Sequence, residues 1–199
     1  MQVVQAFLSL STAFGLSTSA GLNAYIPLLT IALVDRLSDG LVDLQGPWVW
    51  LSSWWTIGVL AVLLTVEILV DKVPAADTVN DIIQTVVRPA AGAILFAAST
   101  HAIGLHPVLA AICGVILAGG VHTVKAGGRP VLTATTAGTA NPIISTIEDV
   151  IAAVGSFIAV LYPYLVLVFI LLLILLILLL MVWRRRRREA ATRGSTERS

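Results

Sequence analysis

The sequence predicts an all-α integral membrane protein of about six transmembrane helices, with a broken first helix, an amphipathic helix at the cytoplasmic face and an internal two-fold repeat. Three observations carry this reading. Hydrophobic residues make up 58% of the chain and charged residues 12%, far from the balance of a soluble domain. Apolar segments long enough to cross a bilayer alternate with short clusters of charge. The phrase P-x-x-[DS]-T-[VI]-[NE]-D occurs twice, from Pro74 to Asp81 and from Pro142 to Asp149, followed each time by a β-branched pair, Ile82-Ile83 and Val150-Ile151.

No Asp, Glu, Lys or Arg occurs from Met1 to Val34. As one helix this stretch would be roughly 50 Å long against a hydrocarbon core of about 30 Å. It is therefore expected to break around Gly21, Asn23 and Pro27, where neighbouring helices or a cavity can satisfy the freed backbone. The amino terminus lacks a basic n-region, so a cleaved signal peptide is not expected. From Asp35 to Pro47 the chain reads as a polar loop, and Trp48, Trp50, Trp54 and Trp55 as an interfacial aromatic belt. A second span follows over about 54–70.

Between residues 71 and 88, Asp77, Asp81, Gln84 and Arg88 fall on one helical stripe with Val79, Ile82, Ile83, Val86 and Val87 elsewhere. This is the pattern of an amphipathic helix at the membrane surface or folded into the bundle. A short third span is expected over about 89–105, a turn at His106-Pro107, and a fourth span to about residue 124. The Gly/Thr-rich piece over 127–141 reads as a candidate re-entrant segment. A fifth span ends at Pro163, which cannot continue a regular helix. The sixth, 164–183, is almost purely aliphatic and is stopped by the block Arg184 to Arg188; the rest of 184–199 reads as a basic disordered tail. The domain organisation is thus a bundle over 1–163, with repeat units at about 54–105 and 107–162, then a final helix and the tail.

Placing the arginine block in the cytoplasm also places Lys72, Arg88, Lys125, Arg129, Arg193 and Arg198 there, so that of 12 Lys and Arg only Arg36 lies outside. The expected location is the cell membrane, with both termini cytoplasmic and both copies of the phrase at the cytoplasmic face. The two units, each opening on a Gly-Val pair, would then point the same way, an arrangement that in transporters places solute sites at the repeat interface.

Ionisable groups gather around the phrase. Glu67 and Asp71 are one helical turn apart; His122, Lys125 and Arg129 share a face; Glu148 and Asp149 open the fifth span, where carboxylates also complement the helix dipole. Charges near the membrane must pair or face water, because burying one alone costs several kcal/mol. The candidate substrate- or ion-binding residues are Glu67, Asp71, Asp77, Asp81, Arg88, Lys125, Arg129, Asn141, Ser145, Glu148 and Asp149. Each also has a plain structural reading: Asp77 or Ser145 as a helix N-cap, the others as interfacial charges. Glu67 stands apart, one turn inside an apolar span, with Lys125 or Arg129 as its expected partner. Asn23 reads equally as a ligand group or as an interhelical hydrogen-bonding contact.

The stretches "AGLNAYIPLL", "EILVDKVPAADTVNDIIQTVVRPAAGAI" from Glu67 and "KAGGR…GTANPIISTIEDV" from Lys125 resemble the bacterial membrane proteins grouped as domain of unknown function 4126. The resemblance runs over roughly residues 14–163. It implies that Glu67, Asp71, Lys72, Pro74, Asp77, Arg88, Pro89, Gly92, Lys125, Arg129, Asn141, Ser145, Glu148 and Asp149 occupy the family's polar positions. It also implies a basic residue where Asn23 stands, and that the sixth span and arginine tail are peripheral. It carries no activity.

Three function classes compete, with a transporter or channel as the leading expectation and a scaffold as its alternative. One is a small transporter or channel for an ion or charged solute with a polar, cytoplasm-facing site. The second is a membrane scaffold or assembly factor whose charged cluster locks the helices together, with Arg184 to Arg188 on anionic lipid. A water-accessible pocket around Glu67 favours transport; a dry, paired cluster favours the lock. The third, a lipid-processing enzyme, rests only on the short D-x-x-x-D of Asp77 and Asp81 and is not expected. The single Cys113 rules out a disulfide framework or C-x-x-C motif. No tightly bound metal, no cofactor and no nucleic-acid partner is expected, since arginines directly after a span are what a stop-transfer signal requires.

Overall fold

The computed structural model describes the backbone of residues 2–38, 40–71, 74–136 and 139–196, and the side chains of these except 74–79, 81, 129–133 and 185–196. Among the described residues the regular structure is all helical: α1 (Gln2–Ala20), α2 (Tyr25–Leu37), a 3-10 turn (Gly46–Ser52), α3 (Trp54–Val70), α4 (Pro74–Thr100), a second 3-10 turn (His101–Ile103), α5 (Pro107–Thr136), α6 (Asn141–Leu161) and α7 (Pro163–Thr196). Five of these, α1, α4, α5, α6 and α7, contain segments long and apolar enough to cross a membrane; a sixth is the 3-10 turn with α3, bent by 60°. This is a multi-pass membrane protein.

The side-chain distribution of a soluble helical protein is reversed. On α4, Gln84 and Arg88 are each 1% exposed while Ile82 is 68% and Val86 72% exposed. On α6, Ser145, Ala152, Ser156 and Ala159 face the interior, and Ile147, Val150, Val154 and Phe157 face out. Lipid is as apolar as leucine, so burying leucine between helices gains little there; close packing of small residues and interhelical hydrogen bonds hold the bundle instead. Hence α1, which lies against α4, α5 and α6, buries Ser11, Ala13, Ser17, Ser19 and Ala20. The densest packing joins α4 to α5. There a Cβ on Gly114 would sit 2.1 Å from the Gly92 carbonyl oxygen, so only glycine permits the approach.

Four expectations are corrected. The first apolar stretch is not one interrupted crossing. It is a helical hairpin, because Leu8 and Thr12 of α1 and Ile31 of α2 line one cavity on either side of the break. That cavity lies beside Ser99 and Pro163, far along α4 and α6 from Arg88 and Asp149. The amino-terminal half of α1 therefore lies at the end of the bundle opposite the charged cluster, not with it. Second, the amphipathic segment and third span are one helix, α4, which passes through Pro89; proline is tolerated within a membrane helix because neighbouring groups satisfy the carbonyl it frees. Third, α5 continues as a regular helix to Thr136, so the expected re-entrant segment begins as a helical extension. Fourth, residues 184–196, expected to be disordered, continue the backbone of α7, in keeping with the helix preference of Arg, Glu and Ala.

The chain divides into two compact units, residues 1–166 and 167–199. In the second, the aliphatic side chains from Leu171 to Trp183 are exposed all round the helix. In the first, α4 and α6 both start with the doubled phrase and run in the same direction, from the charged cluster toward Ser99 and Val160 respectively.

Candidate functional site: a buried polar network

Each contributing helix presents one stripe. On α3 the buried residues are Ile57, Leu60 and Glu67, with Asp71 one turn beyond at the C-cap. The buried polar residues at the same end are Gln84 and Arg88 on α4, His122 and Lys125 on α5, and Ser145 on α6. The spacings of three, four and seven bring each set to one face.

Glu67, 2% exposed, accepts a hydrogen bond from Arg88 Nη2 to Oε1 at 3.1 Å. Arg88 Nη1 lies 3.1 Å from His122 Nδ1, and His122 Nε2 lies 3.2 Å from Thr85 Oγ1. A guanidinium only donates, so Nδ1 must accept; this assigns His122 as the neutral tautomer with its proton on Nε2, donated to Thr85. Asp71 joins three helices: Oδ1 accepts from Asn80 Nδ2 at 2.8 Å and Oδ2 from Ser145 Oγ at 2.5 Å.

The break between α1 and α2 is part of the same construction. Asn23, 1% exposed, accepts from the backbone N–H groups of Tyr25 and Ile26 at 3.0 and 3.1 Å and so caps α2. Its Nδ2 donates to Asp149 Oδ1 at 2.9 Å. Lys125 Nζ donates to the Leu22 carbonyl at 3.1 Å, a backbone group the break has freed, and pairs with Glu148 Oε2 at 2.7 Å. Gly21 is required by packing, since a Cβ there would stand 2.5 Å from Val121 Cβ. Pro27 is not in the break; it sits in the first turn of α2, where a missing N–H costs no hydrogen bond.

Of the predicted site residues, Glu67, Asp71, Arg88, Lys125, Ser145, Glu148 and Asp149 belong to this network. Asn141 is the first residue of α6 and is half-buried. The side chains of Asp77, Asp81 and Arg129 lie outside the described residues. Glu67 is paired with Arg88 and Lys125 with Glu148, because the amphipathic segment and the span are one helix that carries Arg88 alongside the end of α3. Asn80, Thr85 and His122 are additional members, and Gln84 is buried one turn before Arg88; Gln84 already lay on the predicted stripe, and His122 on the face of Lys125. Glu67 Oε2, Gln84 Oε1 and Arg88 Nε are buried with no hydrogen-bond partner among the described residues. Among the described residues, no three His, Cys, Asp or Glu side chains converge as metal ligands.

The sequence profile of the family described as Domain of unknown function (DUF4126) matches residues 10–185. The chain belongs to this family. The match includes every member of the network and extends past Pro163 into α7, so the last span lies within the family region rather than outside it. No curated protein and no solved structure matches the chain.

Proposed function

We propose that this DUF4126 protein is a membrane scaffold whose polar network is a structural lock. The observation that carries the reading is that Glu67, Asp71, Arg88, Lys125, Glu148 and Asp149 are each bonded to a group on a different helix or on the break. A buried charge held in this way fixes register and orientation more than it adds net stability. The Lys/Arg bias supports placing the network at the cytoplasmic face of the cell membrane, the amino terminus on the other side, and Arg184 to Arg188 against anionic lipid. The common direction of α4 and α6 supports two like-oriented units.

Transport of a small cation is the second reading. It is favoured by the unpartnered Glu67 Oε2, and by the four carboxylates that stand against two permanent cations in the described network.

One experiment separates them. Glu67→Gln keeps the shape but leaves the Arg88 cation facing a neutral amide, at a cost of about 3 kcal/mol. For a lock, thermal unfolding of the variant in lipid nanodiscs shifts to lower temperature. Wild-type proteoliposomes then pass no Na⁺, K⁺, Mg²⁺, chloride or phosphate above empty vesicles. Flux of any of these, abolished by Glu67→Gln with unfolding unchanged, establishes transport and removes the lock.

A further inference from the structure

The end of the bundle away from the network holds a cavity of about 320 Å³ that opens to the outside. At about 30 Å³ per water it has room for roughly ten, and it falls at the lower end of the sizes that take small-molecule ligands. Its polar lining comes from Gln5, Ser9 and Thr12 on α1, Asp43 and Gln45 on the α2–α3 connection, and Ser99 on α4. The connection is held as a roof. Leu44 is buried, and its backbone N–H donates to Asp35 Oδ1 at 2.7 Å.

The lining is selective in charge. Among the described residues it contains one carboxylate, Asp43, and no Lys, Arg or His. Arg36, on the neighbouring turn, lies 5.3 Å from the centre of the Trp54 ring. The Thr12 hydroxyl donates to the Ala159 carbonyl at 3.0 Å, and the Gln45 amide donates to Asp43 Oδ2 at 2.6 Å. The Thr12 hydroxyl proton and one Gln45 N–H are thus spent within the protein, and Asp43 Oδ1, Gln45 Oε1 and the Thr12 lone pairs remain as acceptors beside the Ser9 and Ser99 hydroxyls. A ligand that carries positive charge and donates hydrogen bonds matches the single carboxylate and these acceptors.

We propose that this cavity is a binding site for a small organic ammonium ion, a primary amine or diamine, with Asp43 as its counter-charge and Thr12 and Gln45 as hydrogen-bond acceptors. The site is separate from the polar network and stands whether or not the network is a lock.

The test uses the full chain in nanodiscs with Cys113→Ala, and either Ser9→Cys or, as an independent position, Ser99→Cys. Modification by a trimethylammonium methanethiosulfonate and by its sulfonate counterpart is timed, each rate divided by that for free cysteine. The cationic reagent is expected to be faster by roughly tenfold, the size of effect a charged cleft gives. 1,4-Diaminobutane slows it, glycerol does not, and Asp43→Asn removes both the preference and the protection. Calorimetry of the unmodified chain shows heat of binding with 1,4-diaminobutane that Asp43→Asn abolishes. Absence of modification at both positions, equal rates for the two reagents, equal protection by glycerol, or binding unchanged by Asp43→Asn each overturns the site.

Discussion

The two ends of the helical bundle solve opposite problems with similar residues. At the network end, Glu67 and Asp71 are buried, Glu148 and Asp149 half-buried, all four are bonded to other helices or to the break, and helix breaks are filled from within: Lys125 on the Leu22 carbonyl, Asn23 on the first turn of α2. At the other end Asp43 is exposed, its nearest described partner is two residues away in the same loop, and space is left beside it. A carboxylate bonded across helices holds them together, whereas one bonded only within its own loop leaves the helices independent of it and keeps acceptors for something else. Perturbing the first end should therefore register as stability and the second as binding.

The sharpest break of this contrast is at Arg88. Arg88→Met removes the cation and leaves Glu67 buried beside an apolar chain, with His122 Nδ1 also stripped of its donor. The loss expected is about 3–5 kcal/mol, read as the unfolding midpoint in nanodiscs. Adding Glu67→Leu removes the stranded charge and should restore most of the stability, because an apolar pair of similar volume replaces an ion pair at little cost. If the double variant is as unstable as the single one, the pair supplies more than charge compensation.

Between the two ends, Gly114 tests whether the network depends on how closely α4 and α5 approach. Gly114→Ala places a methyl group 2.1 Å from the Gly92 carbonyl, which neither backbone can accommodate without moving apart. Overpacking of this kind costs about 1–3 kcal/mol. It should also lengthen the Arg88 to His122 contact, visible as a shift of the His122 ring signals in NMR. An unchanged His122 signal would mean that the helices are held at the network end independently of their crossing.

How much of this was legible beforehand follows from what hydropathy encodes. The stripe of Gln84 and Arg88, the pairing of Glu67 with Asp71, and the face carrying His122 and Lys125 are periodicities, and periodicity survives any environment. The sign of the amphipathicity does not: the same stripe that would face water on a surface helix faces inward when lipid takes the apolar side, so α4 reads either as a surface helix or as one folded into the bundle until its neighbours are known. Its true length was hidden for the same reason, since residues too polar for lipid are acceptable against other helices. The break near Asn23 was readable from Gly21 and from the excess length of the first apolar stretch. The hairpin it makes was not, because nothing in a charge-free segment marks which side of the bilayer its ends occupy.

The smallest effect distinguishes two jobs of one residue. Asn23 both caps α2 through Oδ1 and donates to Asp149 through Nδ2. Asn23→Ala removes both, for about 1 kcal/mol in all. Asn23→Asp keeps the cap, since a carboxylate oxygen accepts the same two N–H groups, but sets a second acceptor against Asp149. If the tie to α6 matters, the aspartate variant is less stable than the alanine one despite its intact cap, and the deficit shrinks at low pH as the two carboxylates come to share a proton. If α2 needs only its cap, aspartate behaves as wild type at every pH, and the break belongs to the hairpin alone rather than to the network.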